Sequence, residues 1–200
     1  MLEKYKSMSL GSLPENTKCV NPDRGYKELS LDEPAIAVMT DHRLEKANMC
    51  LGNKSIDRAM KQMAENNTNM LLVTNDDQVV IGLITSADIS GEKPIQYVQE
   101  TGKSRDQLYV RHLMTPIEAM PTMEISGVLD SCIGDVLRTL NDIGSEFMLV
   151  SSLQDGVPAI RGIFSARSIA RSLKIFFDPS PGAKTFADFT KALHGSVLTH

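Results

Sequence analysis

The chain has 200 residues, 42% of them apolar and 23% charged, with a formal net charge of −4. It is long enough to bury a core as one domain or two small ones, and too apolar for a disordered chain. The acidic balance, without a dense block of Lys and Arg, excludes a surface built to grip nucleic acid or an anionic membrane, so any basic site has to be local.

The opening Met1-Leu2-Glu3-Lys4-Tyr5-Lys6 lacks the apolar core of a signal peptide. No later stretch approaches the ~20 apolar residues of a membrane span, so the expectation is a cytoplasmic protein with no membrane partner. Gly11-Ser12-Leu13-Pro14 and Asn21-Pro22-Asp23-Arg24-Gly25 are turn formers in a segment without sustained periodicity, read as an N-terminal arm over residues 1–30. Ile56, Ala59, Met60, Met63 and Ala64 then recur at i, i+3, i+4, i+7, i+8, the face of an amphipathic helix capped by Ser55 or Asn53. Asn66-Asn67-Thr68 breaks it. Met70-Leu71-Leu72-Val73 reads as a strand, Asn75-Asp76-Asp77 as a turn, and Val79 to Ile84 as a second strand, both apolar enough to be covered on two faces.

Gly91-Glu92-Lys93-Pro94 opens a linker, residues 93–112, with a short helix from Pro94 to Glu100 that Gly102 ends. After Met114-Thr115-Pro116 the order of elements repeats. Ile133, Val136, Leu137, Leu140 and Ile143 lie on a helix stopped at Gly144-Ser145. Phe147 to Val150 is a strand, Ser151 to Ala159 a loop containing Gly156 and Pro158, and Ile160 to Phe164 a second strand. The organisation is therefore a first motif over 31–92, a second over 113–176, and a tail over 177–200 in which Phe186, Phe189 and Leu193 mark a short helix that must dock on something.

The chemistry-bearing step is Gly82-Leu83-Ile84-Thr85-Ser86-Ala87-Asp88, which runs from strand into helix. A capping box alone accounts for Thr85 at the N-cap and Asp88 at N3. The same geometry sets a carboxylate beside a hydroxyl, a pair able to hydrogen-bond a vicinal diol, and Gly82 would let a base approach the backbone. The Met-Thr lead-in, the helix, two strands and Gly-x-Ile-Thr-x-x-Asp, followed by a second copy from Met114-Thr115-Pro116, resemble a tandem cystathionine-β-synthase (CBS) domain pair of the stand-alone bacterial type over roughly residues 35 to 175.

That resemblance implies a mixed α/β (α+β) fold of two β-α-β-β-α motifs packed as a pseudo-two-fold pair. It also implies two clefts for adenosyl ligands and a homodimer. Thr85 and Asp88 match the family's ribose pair. Ala47, Asn48 and Met49, with the strand at Leu72-Val73, would face the base. In the second copy Gly162 and Ser165 match, but Ser168 stands in place of the aspartate, and a serine cannot replace a two-oxygen acceptor, so one competent and one degenerate cleft are expected. Phosphates need local positive charge. Arg161, the i, i+4 pair Arg167 and Arg171, and Arg111-His112 are the candidates, each of which is otherwise an ordinary surface residue.

No catalytic constellation stands out. His42, His112, His194 and His200 have no metal-ligand spacing, and Cys19, Cys50 and Cys132 are too scattered for a disulfide framework or a zinc site. The expected function is a non-enzymatic, ligand-sensing regulatory module with no obligatory cofactor. It would bind AMP, ADP, ATP or S-adenosylmethionine and signal to a protein partner on another chain. The alternative is a ligand-free dimerisation protein with a vestigial cleft.

Overall fold

The computed structural model describes residues 29–173, together with Pro14 and Thr17. The N-terminal arm as far as residue 28, Cys19, the Phe186/Phe189/Leu193 helix, His194 and His200 otherwise lie outside the described residues.

In chain order the elements are β1 (Thr40–Asp41), β2 (Met49–Leu51), α1 (Ile56–Glu65), β3 (Met70–Thr74), β4 (Val80–Thr85), α2 (Ser86–Ser90), α3 (Lys93–Thr101), α4 (Val110–Leu113) and β5 (Thr115–Pro116). They are followed by β6 (Thr122–Glu124), α5 (Ile125–Leu129), α6 (Ile133–Asp142), β7 (Phe147–Gln154), β8 (Val157–Ser165) and α7 (Ala166–Ser172). Local chemistry sets the helix ends. Ser55 Oγ accepts the Arg58 amide at the start of α1, and Asp135 Oδ2 accepts the Cys132 amide at 2.9 Å at the start of α6. Gly102 and Gly144, at φ of +66° and +63°, close α3 and α6 in the left-handed conformation.

Two four-stranded sheets form, in the orders β2-β3-β4-β5 and β1-β8-β7-β6. Each takes its end strand from the other copy. The lead-in of the second copy, β5, pairs antiparallel with β4 (Leu83 opposite Thr115), and the lead-in of the first, β1, pairs antiparallel with β8 (Thr40 opposite Ile163). Alternation along the strands divides the core in three. Leu71, Val73 and Ile84 pack under α1 with Ile56, Ala59 and Met63; Met148, Val150 and Phe164 pack under α6 and α7; Leu72, Leu83, Leu149, Ile163 and Phe147 meet between the sheets.

One sequence expectation is corrected. Residues 151–159 are not a loop, because β7 and β8 run on to Gln154 and Val157 across a two-residue turn. Asp155 and Gly156 both have positive φ, +53° and +79°, the conformation of a tight hairpin turn whose twist matches the flanking strands. Pro158 is tolerated because β1 reaches only Gly162 and Ile163, leaving β8 unpaired on that side. No helix among the described residues is long and apolar enough to cross a membrane.

Candidate functional site

Thr85 ends β4 opposite Met70, and α2 begins at the next residue. The Thr85 amide and the Thr85 hydroxyl both donate to Asp88 Oδ2 at 2.8 Å, and Thr85 Oγ1 accepts the Asp88 amide at 3.1 Å. The capping box is complete. The other carboxylate oxygen, Asp88 Oδ1, lies 2.6 Å from Lys93 Nζ at the start of α3, and the same ammonium donates to the Leu113 carbonyl at 3.3 Å. Asp88, with 14% of its side chain exposed, is thus held by its own cap and by the linker.

Ala47 and Met70 pack together on the apolar cluster between the sheets, at the Thr85 end of β3. The Asn48 carbonyl accepts the Leu72 amide at 2.9 Å, and its side-chain oxygen accepts from Asn66 at 2.9 Å. Met49 is partly exposed, and its carbonyl is capped by Gln62 at 2.8 Å. Ala47, Asn48 and Met49 line a cleft of about 550 Å³ along β2, with Lys46, Lys54 and Gln62 among its other walls; Thr85 and Asp88 lie outside it.

Two of the positions expected to meet a base are engaged in packing. The Val73 side chain is fully buried beneath α1, because strand alternation turns Leu72, not Val73, toward the space between the sheets. At Gly82 an added Cβ would stand 2.5 Å from the Thr115 carbonyl, so the glycine makes room for β5.

The second copy offers less. Ser165 is buried and caps α7 by accepting the Ser168 amide at 3.4 Å, while Ser168 is exposed and supplies no carboxylate. The Leu149 amide bonds to the Pro121 carbonyl as the Leu72 amide bonds to Asn48, and Phe147 opposes Ser165 as Met70 opposes Thr85. Met120 and Phe147 therefore stand where the first copy has Ala47 and Met70, and both pack into the intersheet cluster. The second copy thus has bulkier side chains at these two positions.

The cationic candidates are dispersed. Arg167 and Arg171 are exposed on α7, and among the described residues no hydrogen bond or ion pair joins them to Thr85 or Asp88. Arg161 is engaged by Asp41: its Nε donates to Asp41 Oδ1 at 2.8 Å and its terminal nitrogen to Oδ2. That bidentate contact holds the Asp41 carboxyl far below the usual carboxylate range and raises the guanidinium's own pKa. His112 is stacked on Tyr97 at 4.9 Å, and its Nδ1 accepts the Tyr109 amide at 3.1 Å. Burial, with Lys103 and Arg111 nearby, lowers its pKa, so the neutral ring that accepts this bond is favoured over a phosphate-binding cation. Arg111 lies exposed over the Tyr109 ring. Among the described residues no three His, Cys, Asp or Glu side chains gather as a metal site.

Lys93 was missed by sequence reasoning. The available signal was a basic residue in the first turn of a helix, where the dipole disfavours it.

Residues 36–93 match the family model of the CBS domain. An uncharacterized conserved protein from Pyrococcus horikoshii shares the fold with a TM-score of 0.53 and 24% identity, covering 76% of this chain and 100% of that one. A conserved CBS domain protein of unknown function from Thermoplasma acidophilum aligns with a TM-score of 0.50 and 20% identity, over 79% of this chain and 74% of that one. CBSX2 of Arabidopsis thaliana, solved in complex with AMP, is 18% identical over 70% of this chain and 95% of its own, with a TM-score of 0.48. No curated protein matches. Residues 36–93 thus carry the match to the CBS domain, and the chain as a whole shares the fold of these solved structures.

Proposed function

We propose that this chain is a regulatory, ligand-sensing module that takes an adenosyl compound at the first-copy junction and passes the change in packing to a protein partner. The observation that carries the reading is the Thr85–Asp88 pair, a hydroxyl and a carboxylate bonded to each other at a strand-to-helix step within the CBS domain. Ala47 and Met70 supply an apolar wall at the same end of the sheet, suited to a purine. The second copy, with Ser168 for the aspartate and with Met120 and Phe147 filling its wall, is the degenerate cleft. A ligand shifts such a pair only by binding one packing arrangement better than another.

The test is thermal unfolding of wild type and Asp88→Ala against AMP, ADP, ATP and S-adenosylmethionine. A ligand at ~100 times its dissociation constant adds about 2.7 kcal/mol, or about 5 to 10 °C in a chain of this size. The shift should occur with at least one compound and vanish in Asp88→Ala, which itself should cost about 0.5 to 2 kcal/mol as a lost cap. An unchanged shift in that variant would remove Asp88 from the site. No shift with any compound at millimolar concentration would favour the competing reading, a ligand-free dimerisation protein, which draws on the bulkier Met120 and Phe147 of the second copy and the prior engagement of Asp88 by Lys93.

A further inference from the structure

The tightest ribose contact this site can make has both hydroxyls of a vicinal diol donate to the Asp88 carboxylate. At Asp88 those positions are already contested. Oδ2 receives two donors from Thr85, its amide and its hydroxyl, each at 2.8 Å, which fills the lone-pair directions of that oxygen. A diol therefore has to enter at Oδ1, where Lys93 Nζ at 2.6 Å takes one of the two lone-pair sites and leaves room for one hydroxyl but not for both.

We propose that Lys93 is the built-in competitor of the ligand's ribose, holding Asp88 Oδ1 in the unliganded chain and leaving when a diol takes its place. This rests on the reading of Thr85 and Asp88 given above, and it names how that site is regulated. Two features make the ammonium able to leave. Its side chain is 46% exposed against 14% for Asp88, so solvent is beside it while the carboxylate stays in place. It also sits at the first position of α3, where the positive end of the helix dipole repels it.

The departure has a structural consequence. Lys93 Nζ also donates to the Leu113 carbonyl at 3.3 Å, the residue before Met114-Thr115. Thr115 pairs with Leu83, and the Met114 side chain packs against Gly82. One ammonium thus ties the ligand carboxylate of the first copy to the strand that leads into the second. When it leaves, α3 loses its tether to both, and occupancy at Asp88 is transmitted to the linker between the copies.

The experiment is calorimetric binding of adenosine, which carries no phosphate that a lost lysine would cease to attract, to the full chain as wild type, Lys93→Met and Lys93→Gln. Met keeps the apolar stem and Gln a polar end, so a packing defect in one is exposed by the other. Both variants should bind adenosine about two- to five-fold more tightly, the scale of a half-exposed ion pair removed from competition. The gain should be absent with 2′-deoxyadenosine, which lacks the diol. Adenosine should also speed amide exchange over residues 93–101 in wild type and leave it unaltered in Lys93→Met. Equal or weaker adenosine binding by both variants, with wild type binding, overturns the competition and leaves the ribose site standing. An equal gain with the deoxy compound overturns it too. Absence of binding in all three proteins at millimolar adenosine overturns the ribose reading and the competition with it.

Discussion

At the scale of single residues, the least satisfied buried side chain among the described residues is His42. Neither ring nitrogen has a hydrogen-bond partner, and both are shut off from solvent. The strand registers explain how this arises: Gly162 opposes Asp41 as Gly82 opposes Pro116, so His42 occupies the position of Ile117, an apolar residue packed against the intersheet cluster. Burial lowers the His42 pKa, outweighing the nearby Glu45 backbone and the Asp41 and Glu45 carboxylates, which favour the charged ring. Arg43 and Arg161 line the same cleft. Because the folded-state value lies below the unfolded one, the unfolded chain takes up the proton first as pH falls through about 6.5, and stability declines from there toward the folded-state pKa. Replacing His42 by Ile, as in the other copy, removes an unpaired donor and acceptor and should add about 1 kcal/mol at pH 7.5. The gain should be larger at pH 5. Urea midpoints of both proteins at the two pH values check this, and an advantage that does not grow on acidification would mean that the buried ring is not the group that titrates.

Among the elements, the two interior-strand glycines decide whether the copies can join. A Cβ at Gly82 would lie 2.5 Å from the Thr115 carbonyl, and one at Gly162 would lie 2.5 Å from the Thr40 carbonyl. These atoms are backbone and cannot rotate away. Gly82→Ala should therefore push β5 off β4 at a cost of about 2 to 3 kcal/mol, the upper range for overpacking. Gly127→Ala, inside α5, meets only the Met123 side chain at 3.5 Å and should be neutral or stabilising, since alanine is the better helix former. Urea unfolding of the two variants should separate them; equal midpoints would mean that the β4–β5 approach is not tight. The sequence showed these glycines at matching places in the repeat, and it showed α1 and α6 through their apolar spacing and end residues and α3 through Pro94 and Gly102 at its ends. It did not show which backbone the glycines admit, because β1 and β5 are two residues each and carry no period. The extended β7–β8 hairpin was hidden for another reason. Residues 153–158 are exposed, so no apolar alternation marks them, and only the Asp155-Gly156 step signals the turn.

For the whole molecule, the repeat seen in the sequence and the unit that packs are offset from each other. The segment before β2 belongs with the second copy: the Ile133 and Gly134 amides bond to the Glu33 and Leu31 carbonyls, Ala35 and Val38 lie in the core under α6, and β1 extends the β8 edge. The linker belongs with the first: the Ile56 amide bonds to the Leu108 carbonyl, Leu108, Val110 and Leu113 are buried in the core under α1, and β5 completes the sheet. The pair of Thr85 and Asp88 was legible because it is local. The Lys93 contact was not, because its two partners, Asp88 and Leu113, meet only once the linker folds back along the sheet. A piece cut at the repeat, residues 29–92, would hold a β1 with nothing to pair to, and would expose the apolar face that α4 and β5 cover. A piece cut at the packing unit, residues 42–116, keeps one whole sheet with its helices. The shifted piece should melt cooperatively in circular dichroism while the repeat-aligned piece does not. It should also self-associate in sedimentation, because Leu72 and Leu83, which meet Leu149 and Ile163 in the intact chain, would face solvent and find the same surface on a second copy. Cooperative melting of residues 29–92 with no such behaviour from 42–116 would mean that the exchanged strands are not what holds each sheet together.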